Sequence, residues 1–289
     1  MLNLIRRYKL LQIAGLLSPG FLWLLLFFNL PLVIVLYISF VERGRAGGIK
    51  IPPVFTPNNY LQFFDPLYLG IFWHSVRIAL VVTIACVVLG YPLAYYISRR
   101  DARRRDALLL LVIIPFWTNF LVRTYALKSA LATDGLINSL LVYGRLVQQP
   151  LDMLFNEFAV ILGLWYGYIP FAILPMYASI EKFDYSLMEA AADLGADMRR
   201  AFLRVMLPMT MPGVVAAFVL VFVPVVGAFI TPDLLGGGKV EMIGTLINRQ
   251  FGVARNWPFG SAISFILMLL VLIGVLAYFR SGGEARRAL

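Results

Sequence analysis

An all-α integral membrane protein with six transmembrane helices is the fold class that the sequence predicts, and three observations carry it. The chain is 61% hydrophobic and 14% charged, with a mean hydropathy of +0.84, whereas a soluble domain carries roughly 25% charged residues. The apolar residues gather into six runs, each close to the roughly 20 residues a helix needs to cross a bilayer. Between them lies one long polar, helix-forming stretch, Met188 to Pro208, around which the spans are arranged.

The first run covers about 15–40. It is too long and too far from the start for a cleaved signal peptide, and no small-residue cleavage pattern follows it, so it is expected to remain as a span. The others cover about 71–97, 107–127, 158–179, 209–231 and 261–279, giving a single transmembrane domain over residues 1–289 with a polar loop at 180–208. Pro31, Pro92, Pro115, Pro170, Pro175 and Pro224 fall inside the runs. Prolines break soluble helices but are tolerated in lipid, where neighbouring helices and water satisfy the freed carbonyls, so kinks are expected.

The net charge of +10 does not point to nucleic acid, because the basic residues sit in short clusters between apolar runs, with no basic domain and no recognition motif. Their distribution predicts orientation instead. One side receives Arg6, Arg7 and Lys9, the cluster Arg99, Arg100, Arg103, Arg104 and Arg105, then Lys182, Arg199, Arg200 and Arg204, and last Arg280, Arg286 and Arg287. That is fifteen of the 25 lysines and arginines. Both termini and the polar loop are therefore expected on the cytoplasmic side, and topology alone accounts for the Arg99–Arg105 cluster. One cysteine, Cys86, inside an apolar run, leaves no disulfide framework and no cysteine-rich metal site. A membrane-embedded enzyme would need clustered His, Asp, Glu or Cys at span ends; a secondary transporter would show intramembrane acids or a repeated half. The sequence displays neither pattern.

Ser186 and Glu189 have capping-box spacing, which predicts a helix starting near Leu187. Leu187, Ala190, Ala191 and Leu194 form one apolar face, and Gly195 supplies the left-handed residue that ends the helix. Asp197 can cap a second helix, with Met198, Ala201, Phe202, Val205 and Met206 on one face and Arg199, Arg200 and Arg204 on the other, which Pro208 is expected to stop.

Glu189-Ala190-Ala191, three residues, Gly195, nine residues, then Val205-Met206-Leu207-Pro208 resembles the EAA loop of the permease subunits of bacterial ABC importers, with valine where isoleucine is commoner. Alanines and glycine allow close approach of a partner backbone, and the glutamate supplies a charge. IPFWTNFLVRTYALK (114–128), SIEKFDYSLMEAAADLGA (179–196), LPMTMPG (207–213), DLLGGGK (233–239) and NWPFGSA (256–262) are similar to the spermidine/putrescine permeases. The resemblance implies a type I importer permease fold in the bacterial inner membrane. It implies as partners a second homologous permease, a pair of ATPase subunits and an extracytoplasmic substrate-binding protein. It also implies that Glu189, Ala190, Ala191, Gly195, Asp197, Arg199 and Phe202 couple this chain to the ATPase. Related permeases for other small organic solutes, amino-acid-like or anionic, share much of the pattern.

The chain is not expected to bind nucleotide itself. A phosphate loop ending at Lys239 would need glycine where Asp233 stands and serine or threonine where Val240 stands. No cofactor is expected on this chain, and ATP with magnesium would be used by the separate ATPase.

A polyamine path should offer acids and aromatic faces that can hold a cation. Phe116, Trp117 and Tyr125 in the third run and Trp165, Tyr166 and Tyr168 in the fourth are candidates, although aromatics near span ends also serve as interface anchors or helix packing. Among the few acids, Asp233 is best placed; a turn residue before the glycines is the alternative. Arg77 and Arg123 argue the other way, since a pore-facing arginine would repel a polyamine. They could snorkel or pair with an acid, or they could meet an anionic substrate. His74 beside them is expected to be a hydrogen-bonded structural residue. The outer loops, about 54–69 and 129–157, mix apolar and turn residues and are expected to be ordered, receiving a binding protein or capping the pore.

Overall fold

The computed structural model describes Ile13 and residues 15–285, with side chains as far as Leu276. Arg6, Arg7, Lys9, Arg286 and Arg287 lie outside the described residues, as does the Arg280 side chain. Among the described residues the chain is helical, with only two isolated β-bridges, Val41 with Phe55 and Arg43 with Ile49. In chain order the helices are α1 (Gly15–Ser39), α2 (Asn58–Gln62), α3 (Pro66–Ser98), α4 (Ala102–Trp117), α5 (Phe120–Leu131) and α6 (Leu136–Tyr143). They continue as α7 (Glu157–Glu181), α8 (Ser186–Asp193), α9 (Met198–Val226), α10 (Ile230–Gly236), α11 (Ile243–Phe251) and α12 (Trp257–Ala285). Helices α1, α3, α7, α9 and α12 are long and apolar enough to cross a membrane, and α4 with α5–α6 forms a bent pair that supplies a sixth crossing if it is one span.

The chain divides into two compact units, with the division inside α11. In the unit spanning residues 66–246, α3, α7 and α9 pack on one another. Ile78 and Val82 of α3, Leu164 and Met176 of α7, and Ala217 and Val221 of α9 are fully buried. Lipid tails are as apolar as these side chains, so close backbone approach and interhelical hydrogen bonds must hold the helices together. Small residues provide the approach: a Cβ on Gly90 would lie 2.9 Å from Met176 Cε, and one on Gly213 would lie 2.7 Å from the Pro175 carbonyl oxygen. A buried hydroxyl pair adds the hydrogen bond. Thr210 Oγ1 donates to the Met206 carbonyl at 2.9 Å, so Tyr91 Oη donates to Thr210 Oγ1 at 2.7 Å, joining α3 to α9.

In the other unit, residues 1–65 with 247–289, α12 packs on α1 and α2. The loop after α1 buries Val41 completely and is tied down by polar contacts as well. Asn59 Nδ2 donates to the Ser39 and Val41 carbonyls at 2.9 Å, Arg43 donates to the Ala254 carbonyl at 2.6 Å, and the Gly48 amide donates to the Arg255 carbonyl at 2.7 Å.

Three local features depart from the sequence reading. The run at 107–127, where Pro115 predicts a kink, is broken outright: α4 ends at Trp117 and the chain turns by 91° before continuing in α5. The second helix of the polar loop does not stop at Pro208 but runs on as α9 to Val226. A π-turn over Phe202–Met206, closed by the Leu207 amide on the Phe202 carbonyl, precedes Pro208. Pro208 thus falls at the start of the resumed α-register, where a missing N–H costs little. Helix α9 then ends at Val226, with Gly227 as its C-cap, so residues 230–231 of the predicted fifth run already belong to α10.

Replacing Gly213 with valine drives a branched side chain into Pro175 and Ser179. We expect a loss of about 1–3 kcal/mol, read as a lower thermal midpoint in detergent, whereas alanine at the exposed Gly195 turn should disturb only the local backbone.

Candidate functional site

The polar loop is built from local caps. Asp184 Oδ1 accepts from the Ser186 amide at 3.0 Å, and this backbone hydrogen bond holds the Asp184 carboxyl below its ordinary value. Asp184, not Ser186, is therefore the side chain that starts α8; the Tyr185 N-cap makes no side-chain cap bond and Ser186 is already the first helical residue. Because the folded value is depressed, this cap is intact above the ordinary carboxylate range and is lost as pH falls through the lowered value. At the other end Gly195 takes φ +81°, with its amide on the Ala192 carbonyl at 2.9 Å and the Ala196 amide on the Ala191 carbonyl at 3.0 Å, a complete Schellman closure. Asp197 Oδ1 then accepts from the Arg200 amide at 2.7 Å and caps α9.

These caps present a helix with no buried residue of its own. Glu189, Ala190 and Arg199 are exposed and Ala191 is half-buried. Leu194 is 90% exposed and Met198 75%, on either side of the open Gly195 turn. Phe202 is half-buried and meets Tyr91 of α3 edge-on, with ring centroids 5.7 Å apart. The Arg99–Arg105 cluster does more than set topology: Arg99 lies over the Tyr185 ring at 4.5 Å, Arg100 over Tyr96 at 4.0 Å, and Arg105 pairs with Glu181 at 2.9 Å.

A second constellation sits at the 91° break. Pro115 O accepts from Thr118 Oγ1 at 2.6 Å and from an Arg123 guanidinium N–H at 3.1 Å, while Asn119 Oδ1 accepts from the Leu121 amide at 2.8 Å and starts α5. Arg123 is only 8% exposed. Its guanidinium lies 5.6–5.8 Å from the ring centroids of Phe116, Phe120 and Tyr166, within cation–π range. The structure thus brings Arg123 together with aromatics of α4, α5 and α7, and its charge is taken up by the protein itself. Beside this cluster an apolar cavity of about 50 Å³ is lined by Ile113, Phe116, Pro170, Phe171 and Leu174.

The other path candidates are more dispersed. Trp117 and Tyr125 are 77% and 53% exposed. Tyr168 is half-buried beside Phe171, with centroids 5.9 Å apart, and Trp165 is half-buried with its indole N–H unpartnered. Asp233 is exposed in the first turn of α10, and among the described residues no ion pair joins it to Arg123. The glycines after it form a left-handed turn, Gly237 at φ +56° and Gly238 at φ +80°, and a Cβ on Gly237 would run into the Phe155 ring. Close packing accounts for Gly236 and Gly237, and the left-handed backbone for Gly238.

Arg77 and His74 converge on one acid that the sequence reading passed over. Glu157 Oε2 accepts from Arg77 at 2.6 Å and lies 3.3 Å from His74 Nε2, while His74 Nδ1 lies 3.2 Å from the Glu241 carbonyl. The only local signal was Asn156-Glu157, a capping residue and a first-turn acid before an apolar run; Asn156 Oδ1 does accept from the Ala159 amide at 2.9 Å.

Residues 86–281 match the family described as the binding-protein-dependent transport system inner membrane component. The chain belongs to this family. The permease is 43% identical over 259 residues to the spermidine/putrescine transport system permease protein PotB of Escherichia coli (strain K12), covering 90% of this chain and 94% of that one. It is 42% identical over 261 residues to the protein of the same name from Haemophilus influenzae, covering 90% and 91%. The inner membrane ABC transporter permease protein YdcU of E. coli (strain K12) is 31% identical over 78% of this chain and 75% of its own. In fold it resembles a solved bacterial alginate ABC transporter in complex with an alginate-bound periplasmic protein, with TM-score 0.75 and 18% identity over 96% of this chain and 94% of that one. This chain is thus an inner-membrane permease subunit of an ABC importer with the type I permease fold, a transport component rather than an enzyme.

Removing the guanidinium from the break should destabilise the fold without changing cargo choice. For Arg123→Gln we expect a loss of about 1–3 kcal/mol in detergent unfolding, with the order of preference among competing solutes in an uptake assay unchanged.

Proposed function

We propose that this permease carries a polyamine of the spermidine/putrescine kind and forms half of the translocation pathway, with α8 as the docking element for an ATPase subunit. The observation that carries the substrate class is the 43% identity to the spermidine/putrescine permease, which extends over 90% of this chain. The site chemistry is compatible with a cationic cargo. Arg77 is paired with Glu157 and Arg123 is wrapped in aromatic rings, so neither intramembrane arginine is offered as an anion-binding charge.

Docking through α8 rests on the exposed Glu189, Ala190, Leu194 and Met198, held by caps at both ends rather than by a core of their own. An apolar patch beside a carboxylate suits insertion of a short helix into a partner's groove. A second homologous permease completes the pore and an external binding protein delivers the cargo. A pair of ATPase subunits supplies the energy and uses ATP with magnesium, so this chain holds no cofactor. The lysine and arginine distribution supports a cytoplasmic side for α8 and both termini.

Two measurements test this reading. Glu189→Lys reverses an exposed charge without touching the core; it should abolish co-purification of the ATPase subunit and ATP-dependent uptake together, and normal values for both would sink the docking assignment. For the cargo, the cognate binding protein should retain spermidine or putrescine in equilibrium binding. Retention of an anion or an amino acid, with no polyamine bound, would overturn the substrate class.

A further inference from the structure

We propose that Tyr185 is a positioning residue for transport, handing the movement of α8 to the end of α3. The inference rests on α8 being the element the ATPase drives, and it concerns where that motion goes next. Helix α8 buries no residue. Motion imposed on it leaves through its ends and through its contact with the first part of α9, which includes the Phe202–Met206 π-turn. At the C-terminal end the joint is Gly195, whose surroundings are open, with nothing within 4 Å of where a side chain would begin. At the N-terminal end stands Tyr185, half-buried and engaged on three sides.

Those contacts lead to α3. Ser98 Oγ donates to the Tyr95 carbonyl at 2.8 Å, so across the 3.4 Å separation Tyr185 Oη is the donor to Ser98 Oγ. Arg99 covers the Tyr185 ring at 4.5 Å. The ring also meets Phe183 edge-on at 5.3 Å, and Phe183 is only 7% exposed, so Tyr185 is braced from behind. Tyr91, Tyr95 and Ser98 recur at i, i+4 and i+7 and thus share one stripe of α3. Further along that stripe, Tyr91 meets Phe202 edge-on at 5.7 Å and donates to Thr210 at 2.7 Å. Helix α3 is therefore gripped at two levels: by Tyr185 before α8, and by the π-turn and Thr210 of α9. A shift of α8 relative to α9 then acts on α3 as a couple, pushing its end against a fixed point about two turns inward.

The test uses the assembled transporter in liposomes, with ATP hydrolysis and polyamine uptake measured on the same preparation. Tyr185→Ala and Arg99→Gln should each lower uptake per ATP hydrolysed at least about fivefold, the lower end of a typical coupling free energy, while the ATPase subunit still co-purifies. Tyr185→Phe, which keeps the ring under Arg99, should stay within about twofold of the wild type. Unchanged uptake per ATP in Tyr185→Ala would overturn the proposal. So would loss of the ATPase subunit from that variant, which would make Tyr185 a docking residue. Arg99 is exposed, so Arg99→Gln keeps the test open if the Tyr185→Ala permease does not accumulate in the membrane. Failure of the docking reading itself appears separately, as normal co-purification and uptake in Glu189→Lys.

Discussion

A backbone carbonyl inside hydrocarbon must find a donor within the protein, and this permease depends on meeting that demand where its helices are interrupted. At the break between α4 and α5, the Pro115 carbonyl is exposed by the turn and takes two donors, Thr118 Oγ1 and Arg123. The same guanidinium is wrapped by three rings from three helices. One side chain therefore satisfies the broken backbone, opposes the negative end of the α4 dipole and fixes α5 against α7. Without it the 91° turn would leave an under-satisfied carbonyl and unanchored aromatics. With it, the turn between α4 and α5 is tied to both helices and to α7.

The polar loop solves a different problem. An eight-residue helix without a buried face is marginal in water, and α8 is such a helix. Its stability is supplied at the ends: Asp184 on the Ser186 amide, the Gly195 Schellman closure, and Asp197 on the Arg200 amide immediately after. Leu194 and Met198 can then remain exposed, because the fold does not rely on burying them. A surface already ordered in the free chain would lose less conformational freedom on meeting the proposed partner.

Sequence reading succeeded where the physics is local and failed where it is tertiary. Hydropathy located the apolar runs because lipid imposes a length on each of them, and the two helices of the polar loop and the turn between them were legible because caps and a left-handed glycine act within a few residues. The cap itself was misassigned: Ser186–Glu189 and Asp184–Ser186 are both plausible starts two residues apart, and only the backbone geometry separates them. The break at Thr118-Asn119 was hidden because two small polar residues barely lower the hydropathy of a long apolar run. Glu157 was missed as the partner of Arg77 because 80 residues separate them, and a contact at that distance leaves no periodic trace. The continuation of α9 past Pro208 depends on a π-turn, for which the sequence carries no simple signal.

An arginine at membrane depth in a permease proposed to carry a polycation would be self-defeating if its charge faced the cargo. Two cations about 4 Å apart repel by about 4 kcal/mol at an effective dielectric constant of 20, enough to empty a site that must fill in every cycle. Arg123 avoids this by position rather than by neutralisation. It is 8% exposed, and among the described residues no acid pairs with it; aromatic faces and a carbonyl, all partially negative, absorb its field. Those groups are of the kind that would stabilise an ammonium. Arg123 is thus held without a carboxylate, and the same kind of aromatic environment suits the proposed cationic cargo. A solute held by aromatic faces alone is held weakly, and weak holding is what a path needs if its cargo is to leave.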